Sequence, residues 1–250
     1  MHHNLCKNCE NTFEGNFCSN CGQKTNTKRL DWNYIKDEAK YTFLHLNNGL
    51  FYTIKQLFVR PGETINEFIQ GKRIQHYKPI LLVFVLAGLN GLLSANLYKN
   101  IIMPKNSNSK EFDSIMSSSM NWLMEHYAVF EICLLPLFSL CSYLAFKKWG
   151  YNFIENIIIN CFAAGQRLAF GVVVTPFLYL IEPKYMLLVS TIATLPMYGL
   201  TLWTYYCIYK DKNSGDVILR ILLFAFLIML FFIILIVLGV LLAVLFGVKN

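Results

Sequence analysis

The sequence predicts an all-α polytopic membrane protein, with about five transmembrane helices behind a small N-terminal zinc ribbon. Three observations carry this. The stretch from Pro79 to Tyr98, PILLVFVLAGLNGLLSANLY, is twenty residues without a charge. At about 1.5 Å of rise per residue, such a helix crosses the roughly 30 Å hydrocarbon layer. Of the 250 residues, 55% are hydrophobic and 15% charged, with mean hydropathy +0.42; a soluble domain carries about a quarter charged residues. Finally, Cys6, Cys9, Cys18 and Cys21 stand in two close pairs ahead of the first apolar run. The expected organisation is a cytoplasmic ribbon over 1–27, a helical arm over 28–78 and a membrane domain over 79–250.

Residues 6–21 read CKNCENTFEGNFCSNC, a C-x2-C-x8-C-x2-C array followed by Gly22. Four thiolates form the soft tetrahedral set that zinc prefers, and each x2 spacing lets a pair grip the ion from one tight turn. Redox dithiols and an iron–sulfur cluster are the alternatives. A site closed by four protein ligands leaves no open position, so the expected Zn2+ is structural. The short central gap predicts two knuckles and little more, a module better suited to protein contact than to nucleic acid. His2 and His3 are not needed by a site already complete.

Residues 1–78 carry eleven Lys/Arg against seven Asp/Glu, and Arg60, Lys72, Arg73 and Lys78 fall within twenty residues of the first span. The positive-inside rule then places the N-terminus in the cytoplasm. Anionic lipid headgroups account for these bases, so nucleic acid is not the expected partner. A cytoplasmic arm stays reduced, which argues against disulfides in the ribbon. Cys133, Cys141, Cys161 and Cys207 sit singly in apolar runs and read as small buried apolar residues. No apolar leader precedes the cysteines, so the first span is expected to act as an uncleaved signal.

Residues 23–30 read as a polar linker. Trp32, Ile35, Ala39, Phe43 and Leu46 then recur at helical spacing until Asn47-Asn48-Gly49, and Leu50, Ile54, Leu57 and Phe58 form a second stripe ended by Pro61-Gly62. A third short helix presents Ile65, Phe68 and Ile69, with Gly71 as its C-cap. These helices are too short to span. They suit the membrane interface, or packing against one another and the membrane domain. The predicted spans are 79–98 (with Met103 as the outer limit of its extension), 126–146, 153–181, 185–209 and 217–248. Residues 104–121 read as an external polar loop. The 29 residues from Phe153 to Ile181 exceed one perpendicular crossing, so tilt or a break near Gly165, Gly171 or Pro176 is expected. Pro136 invites a kink in the second span. Five crossings put the C-terminus outside. Beyond the arm the charges do not vote: Lys147, Lys148, Lys210, Lys212 and Arg220 inside stand against Lys99, Lys105, Lys110, Lys184 and Lys249 outside.

Ionisable groups at membrane depth are costly and often functional. Glu131 lies about 8 Å in from the outer end of its span, and Arg167 about 9 Å below the outer surface if the overlong third span begins at its inner end. The match predicts an ion pair between neighbouring antiparallel helices, either fixing the packing or forming a gate or proton site. Glu155, near the inner surface, is expected to snorkel. Asn90, Asn156, Asn160 and Gln166 are positioned to bridge helices, and Ala163-Ala164-Gly165 to let backbones approach. Asn160, Gln166 and Arg167 make the third span the polar spine. His45 and His76 are isolated. There is no Ser/His/Asp set, phosphate loop or H-E-x-x-H motif, so no enzymatic activity is expected.

The combination CKNC…FCSNCGQK, then FVRPGETINEFIQGKRIQHYKP, then an apolar span, resembles an uncharacterised family of bacterial inner-membrane proteins that joins an N-terminal zinc ribbon to a domain of unknown function. The resemblance covers residues 6–98 and implies Cys6, Cys9, Cys18 and Cys21 as zinc ligands in a multi-pass inner-membrane protein. A cytosolic N-terminus with five spans is also similar in architecture to the Yip-domain membrane proteins. The expected function is a non-enzymatic membrane protein whose ribbon is a cytoplasmic contact module and whose helices serve as anchor or complex subunit. Its partners would be the bilayer and either a protein or a second copy. Two alternatives are a small-solute or lipid transporter with a polar path beside the third span, and a membrane-tethered nucleic-acid binder. The first reading predicts a filled bundle, and the second a cavity touching Asn160, Gln166 or Arg167.

Overall fold

The structure, a computed structural model, describes residues 4–25, 27, 29–41, 49–97, 122 and 126–245. Phe43, Leu46, the Asn47-Asn48 break, His2, His3, His45, the extension to Met103, the loop at 104–121 and Lys249 lie outside the described residues. Strands β1 (Asn4–Leu5) and β2 (Thr12–Phe13) pair antiparallel, Asn4 opposite Phe13 and Leu5 opposite Thr12. Eight α-helices follow among the described residues: α1 (Trp32–Tyr41), α2 (Gly49–Val59), α3 (Pro61–Gln70), α4 (Pro79–Leu97), α5 (Tyr127–Phe146), α6 (Phe153–Leu178), α7 (Pro183–Ile208) and α8 (Ser214–Leu245).

Three stretches, Tyr127–Trp149, Phe153–Leu178 and Ser214–Gly239, are long and apolar enough to cross a membrane, and Pro79–Ala95 is a shorter apolar helix. From Tyr185 to Ile208, α7 carries no charge. The helices α5 and α6 run unbroken through Pro136, Gly165, Gly171 and Pro176. In α6 every residue from Ile154 to Gln166 is buried, so this helix is the axis of the bundle. A helix covered on all sides needs an apolar perimeter and small contact points. At one of these, Gly165, a Cβ would lie 2.5 Å from Leu82 Cδ2 of α4.

The arm is part of this body. Leu57 of α2 and Ile65 and Phe68 of α3 are buried, and the Phe68 ring meets Phe162 of α6 edge-on with centroids 5.1 Å apart. Of the two settings open to the amphipathic arm helices, packing onto the membrane domain is the one α3 adopts; an apolar stripe alone does not say whether lipid or protein covers it. Pro61 presets the first turn of α3. Gly71 ends it at φ +115°, donating to Glu67 O and Phe68 O. At the lower end of the bundle Phe146 stacks on Tyr205 and Tyr209, with centroids 5.2 and 4.7 Å apart, and the Arg220 guanidinium lies 4.6 Å over Trp149. Cys141 and Cys161 are buried as expected, but Cys133 is exposed on α5. Apolar residues face outward as well as inward on a helix bathed in lipid, which is why its neighbourhood did not distinguish the two.

Candidate metal centre and bundle cavity

The ribbon is two copies of one turn. In the first, Cys6 N donates to Asn11 O and Glu10 N to Cys6 O; in the second, Cys18 N donates to Gln23 O and Gly22 N to Cys18 O. Both turns need a left-handed residue after their second cysteine, Glu10 at φ +59° and Gly22 at φ +74°. The result places the four sulfurs within 4.8 Å of one another, with Cys6 and Cys21 3.5 Å and Cys9 and Cys18 3.6 Å apart. A tetrahedral zinc with bonds of about 2.3 Å spaces its sulfurs about 3.8 Å apart. The donor set therefore fits a metal ion, and these sulfurs are not bonded to each other. Burial pushes the Cys21 thiol up to about 12. At Cys18 the upward push of burial is outweighed by the N–H groups of Cys21 and Asn20 and by the Cys9 and Cys6 thiols, which bring it down to about 6.

The stretch expected to be a linker is instead a clamp. The buried Gln23 amide donates to Gly71 O at 2.8 Å and accepts from Arg73 N at 3.3 Å, tying the ribbon to the C-cap of α3. Six residues on, Arg29 grips both oxygens of Glu155 at 2.6 and 2.7 Å and also donates to Gly150 O. Glu155 is 2% exposed, so it does not snorkel. It also accepts from Asn152 N, while Asn152 Oδ1 accepts from Glu155 N, a capping box that starts α6. The pattern Asn152-x-x-Glu155 was the available signal for this role; nothing local pointed to Arg29.

The polar residues of α6 divide into three groups. Asn156 and Asn160 are joined to Ser142 of α5, and Tyr205 of α7 donates to Asn160. Gln166 donates to Leu57 O of α2 at 2.6 Å and accepts from Thr204 of α7, so it joins the arm to the bundle. Arg167 Nη2 donates to Glu131 Oε2 at 2.7 Å, and the Tyr127 hydroxyl donates to the other Glu131 oxygen at 2.8 Å. Asn90 of α4 donates to Leu168 O.

Beside this last group lies a cavity of about 560 Å³ between α5, α6, α7 and α8. Asn160, Glu131 and Arg167 line it, Gln166 does not, and most of its wall is apolar.

The family described as "Protein of unknown function (DUF3667)" matches residues 47–90. That stretch is α2, α3 and the first part of α4, the segment that seats the ribbon and docks on α6 and α7. It is well under half of the chain, and the four cysteines lie outside it. No curated protein and no solved structure matches the chain.

Proposed function

We propose that this is a five-span inner-membrane protein, α4 to α8 crossing the bilayer, with a zinc-loaded ribbon that serves as a protein-contact module on the cytoplasmic side. The N-terminus lies inside and the C-terminus outside. The observation that carries the reading is the clamp. Gln23 and Arg29 hold the ribbon at a fixed place on the bundle, while Leu5 and Phe17, the residues before the first cysteine of each turn, stay 67% and 62% exposed. A rigid mount with paired exposed apolar residues suits recognition of another protein. A nucleic-acid face would need the basic side chains of the ribbon to point outward, but Lys7 is turned to Thr27 O at 2.7 Å. A photo-crosslinking residue at Phe17, in native membranes, is expected to give one discrete protein adduct that the same residue at Thr27 does not give. No adduct at Phe17 would count against the contact module. Metal analysis should find one zinc per chain, lost in Cys18→Ser; iron with visible absorbance would replace zinc by a cluster.

A second reading, a lipid- or solute-handling protein, is favoured by the cavity alone. A pure anchor has no need of an open chamber beside a buried ion pair.

A further inference from the structure

Resting on that second reading, we infer that the cavity between α5 and α8 takes an uncharged amphiphile whose head accepts hydrogen bonds from Arg167. Charge comes first. Glu131 and Arg167 are the only ionised side chains among the described residues of its lining, and they neutralise each other at 2.7 Å. An anionic or cationic guest would leave one uncompensated charge in an apolar chamber, which is expensive. A neutral guest leaves the pair balanced.

Hydrogen bonding then sets the head. Glu131 is occupied on both oxygens, by Tyr127 and Arg167. The Asn90 amide donates to Leu86 O and Leu168 O, and the Thr194 and Thr201 hydroxyls donate to carbonyls of their own helix. A guanidinium has five N–H donors, and Arg167 makes one hydrogen bond among the described residues, through Nη2. Asn90 Oδ1 and the hydroxyl oxygens of the wall can accept, but the guanidinium N–H groups not used on Glu131 are its strongest donors, and they call for an acceptor such as an ester, amide or ketone oxygen.

The walls set the tail. Phe130, Leu202 and Phe232 line the cavity yet are 40%, 37% and 37% exposed, so it opens sideways onto the outer face of the helices, where lipid would lie. A guest enters from the bilayer and must be largely apolar. A volume of about 560 Å³ falls in the range that encloses a molecule of drug size.

The test uses the full chain in bilayer discs and three diazirine probes of one chain length: a monoacylglycerol, a fatty acid and a fatty amine. The monoacylglycerol is expected to label peptides carrying Phe130 or Met197 at least about ten-fold more than either charged probe, a preference of about 1.4 kcal/mol. Arg167→Met combined with Glu131→Met and Tyr127→Phe removes the guanidinium, the charge it would strand and the hydroxyl left without an acceptor, and should bring the neutral label down to the charged level. Ala225→Phe fills the cavity from α8, leaves the pair in place, and should suppress all three. If a charged probe labels the cavity as well as the monoacylglycerol does, the neutral class is wrong while the cavity still binds amphiphiles. Label that survives the triple substitution removes Arg167 from the head site. If none of the probes reaches the cavity of the folded wild-type chain, both this inference and the lipid-handling reading fall.

Discussion

Gly62→Ala should detach α3 from α7. Gly62 follows Pro61 in the first turn of α3, and a Cβ there would run into the Cys207 carbonyl group and come within 2.7 Å of Ile208 N. These are backbone atoms in the last turn of α7 and cannot rotate aside as a side chain would. The helices would have to part by on the order of 1 Å to restore carbon contact distances. That stretches the 2.7 Å Lys210–Glu63 ion pair and loosens the seats of Ile65 and Phe68. Overpacking typically costs about 1–3 kcal/mol, and a rigid neighbour puts this case at the top, about 3 kcal/mol. For a chain of this size that lowers Tm by about 6–12 °C. Two other glycines calibrate the effect. Gly88 has nothing within 4 Å of its would-be Cβ, so Gly88→Ala should leave Tm unchanged or raise it, alanine being better in a helix by about 1 kcal/mol. Gly165→Ala meets only the Leu82 side chain, which can turn, and should fall between them. Thermal unfolding of the purified full chain in one detergent reads all three. If Gly62→Ala melts with the wild type, or the order reverses, the close docking of α3 on α7 is refuted.

Chelation at neutral pH should unfold residues 4–25, since a metal-knotted module this small has little other core, and hydrogen exchange of those amides reads it. Glu10→Gly should stabilise the ribbon against chelator or denaturant by about 1 kcal/mol, because a non-glycine residue at φ +59° is strained; an unchanged midpoint would mean that the strain is absent. Arg29→Ala should destabilise more than Glu155→Gln, by about 1–3 kcal/mol against less than about 1, because only the former leaves a buried carboxylate without its cation. Equal melting temperatures for the two would show that solvent already screens the pair. Burial holds the His76 imidazole below its usual 6.5, with Glu67 pulling it up and Arg60 pushing it down, between the Tyr52 and Phe68 rings. The folded state then binds fewer protons than the unfolded one, so stability is retained above pH 6.5 and falls as the pH drops below it. His76→Gln should flatten the stability profile between about pH 5 and 6.5, and a profile identical to wild type would remove His76 as the source.

The cysteine cluster was legible because a metal dictates both residue type and spacing, so a local pattern is enough. Helices were legible where apolar runs end at prolines, glycines or charges, as at Pro79 and Pro183. The neighbours of those helices were not. The stripe Leu57, Ile65 and Phe68 would look the same whether it faced lipid or α6. Gln23 and Arg29 sit among other polar residues, and their partners Gly71 and Glu155 are 48 and 126 positions away. The closeness of Glu131 to Arg167 could be anticipated, because depth in a bilayer is a ruler that sequence position reads. The cavity beside them could not be, since empty space depends on how far apart whole helices stand.

The central claim is that ribbon, arm and membrane helices form one body, locked through Gln23 and Arg29. Hydrogen–deuterium exchange of the full chain in bilayer discs, with and without chelator, tests it most directly. Removing the metal should deprotect residues 4–25 and, with them, the C-cap of α3 around Gly71 and the first turn of α6 around Asn152 and Glu155. Exchange that quickens in residues 4–25 while Gly71 and Glu155 stay as protected as before would contradict it.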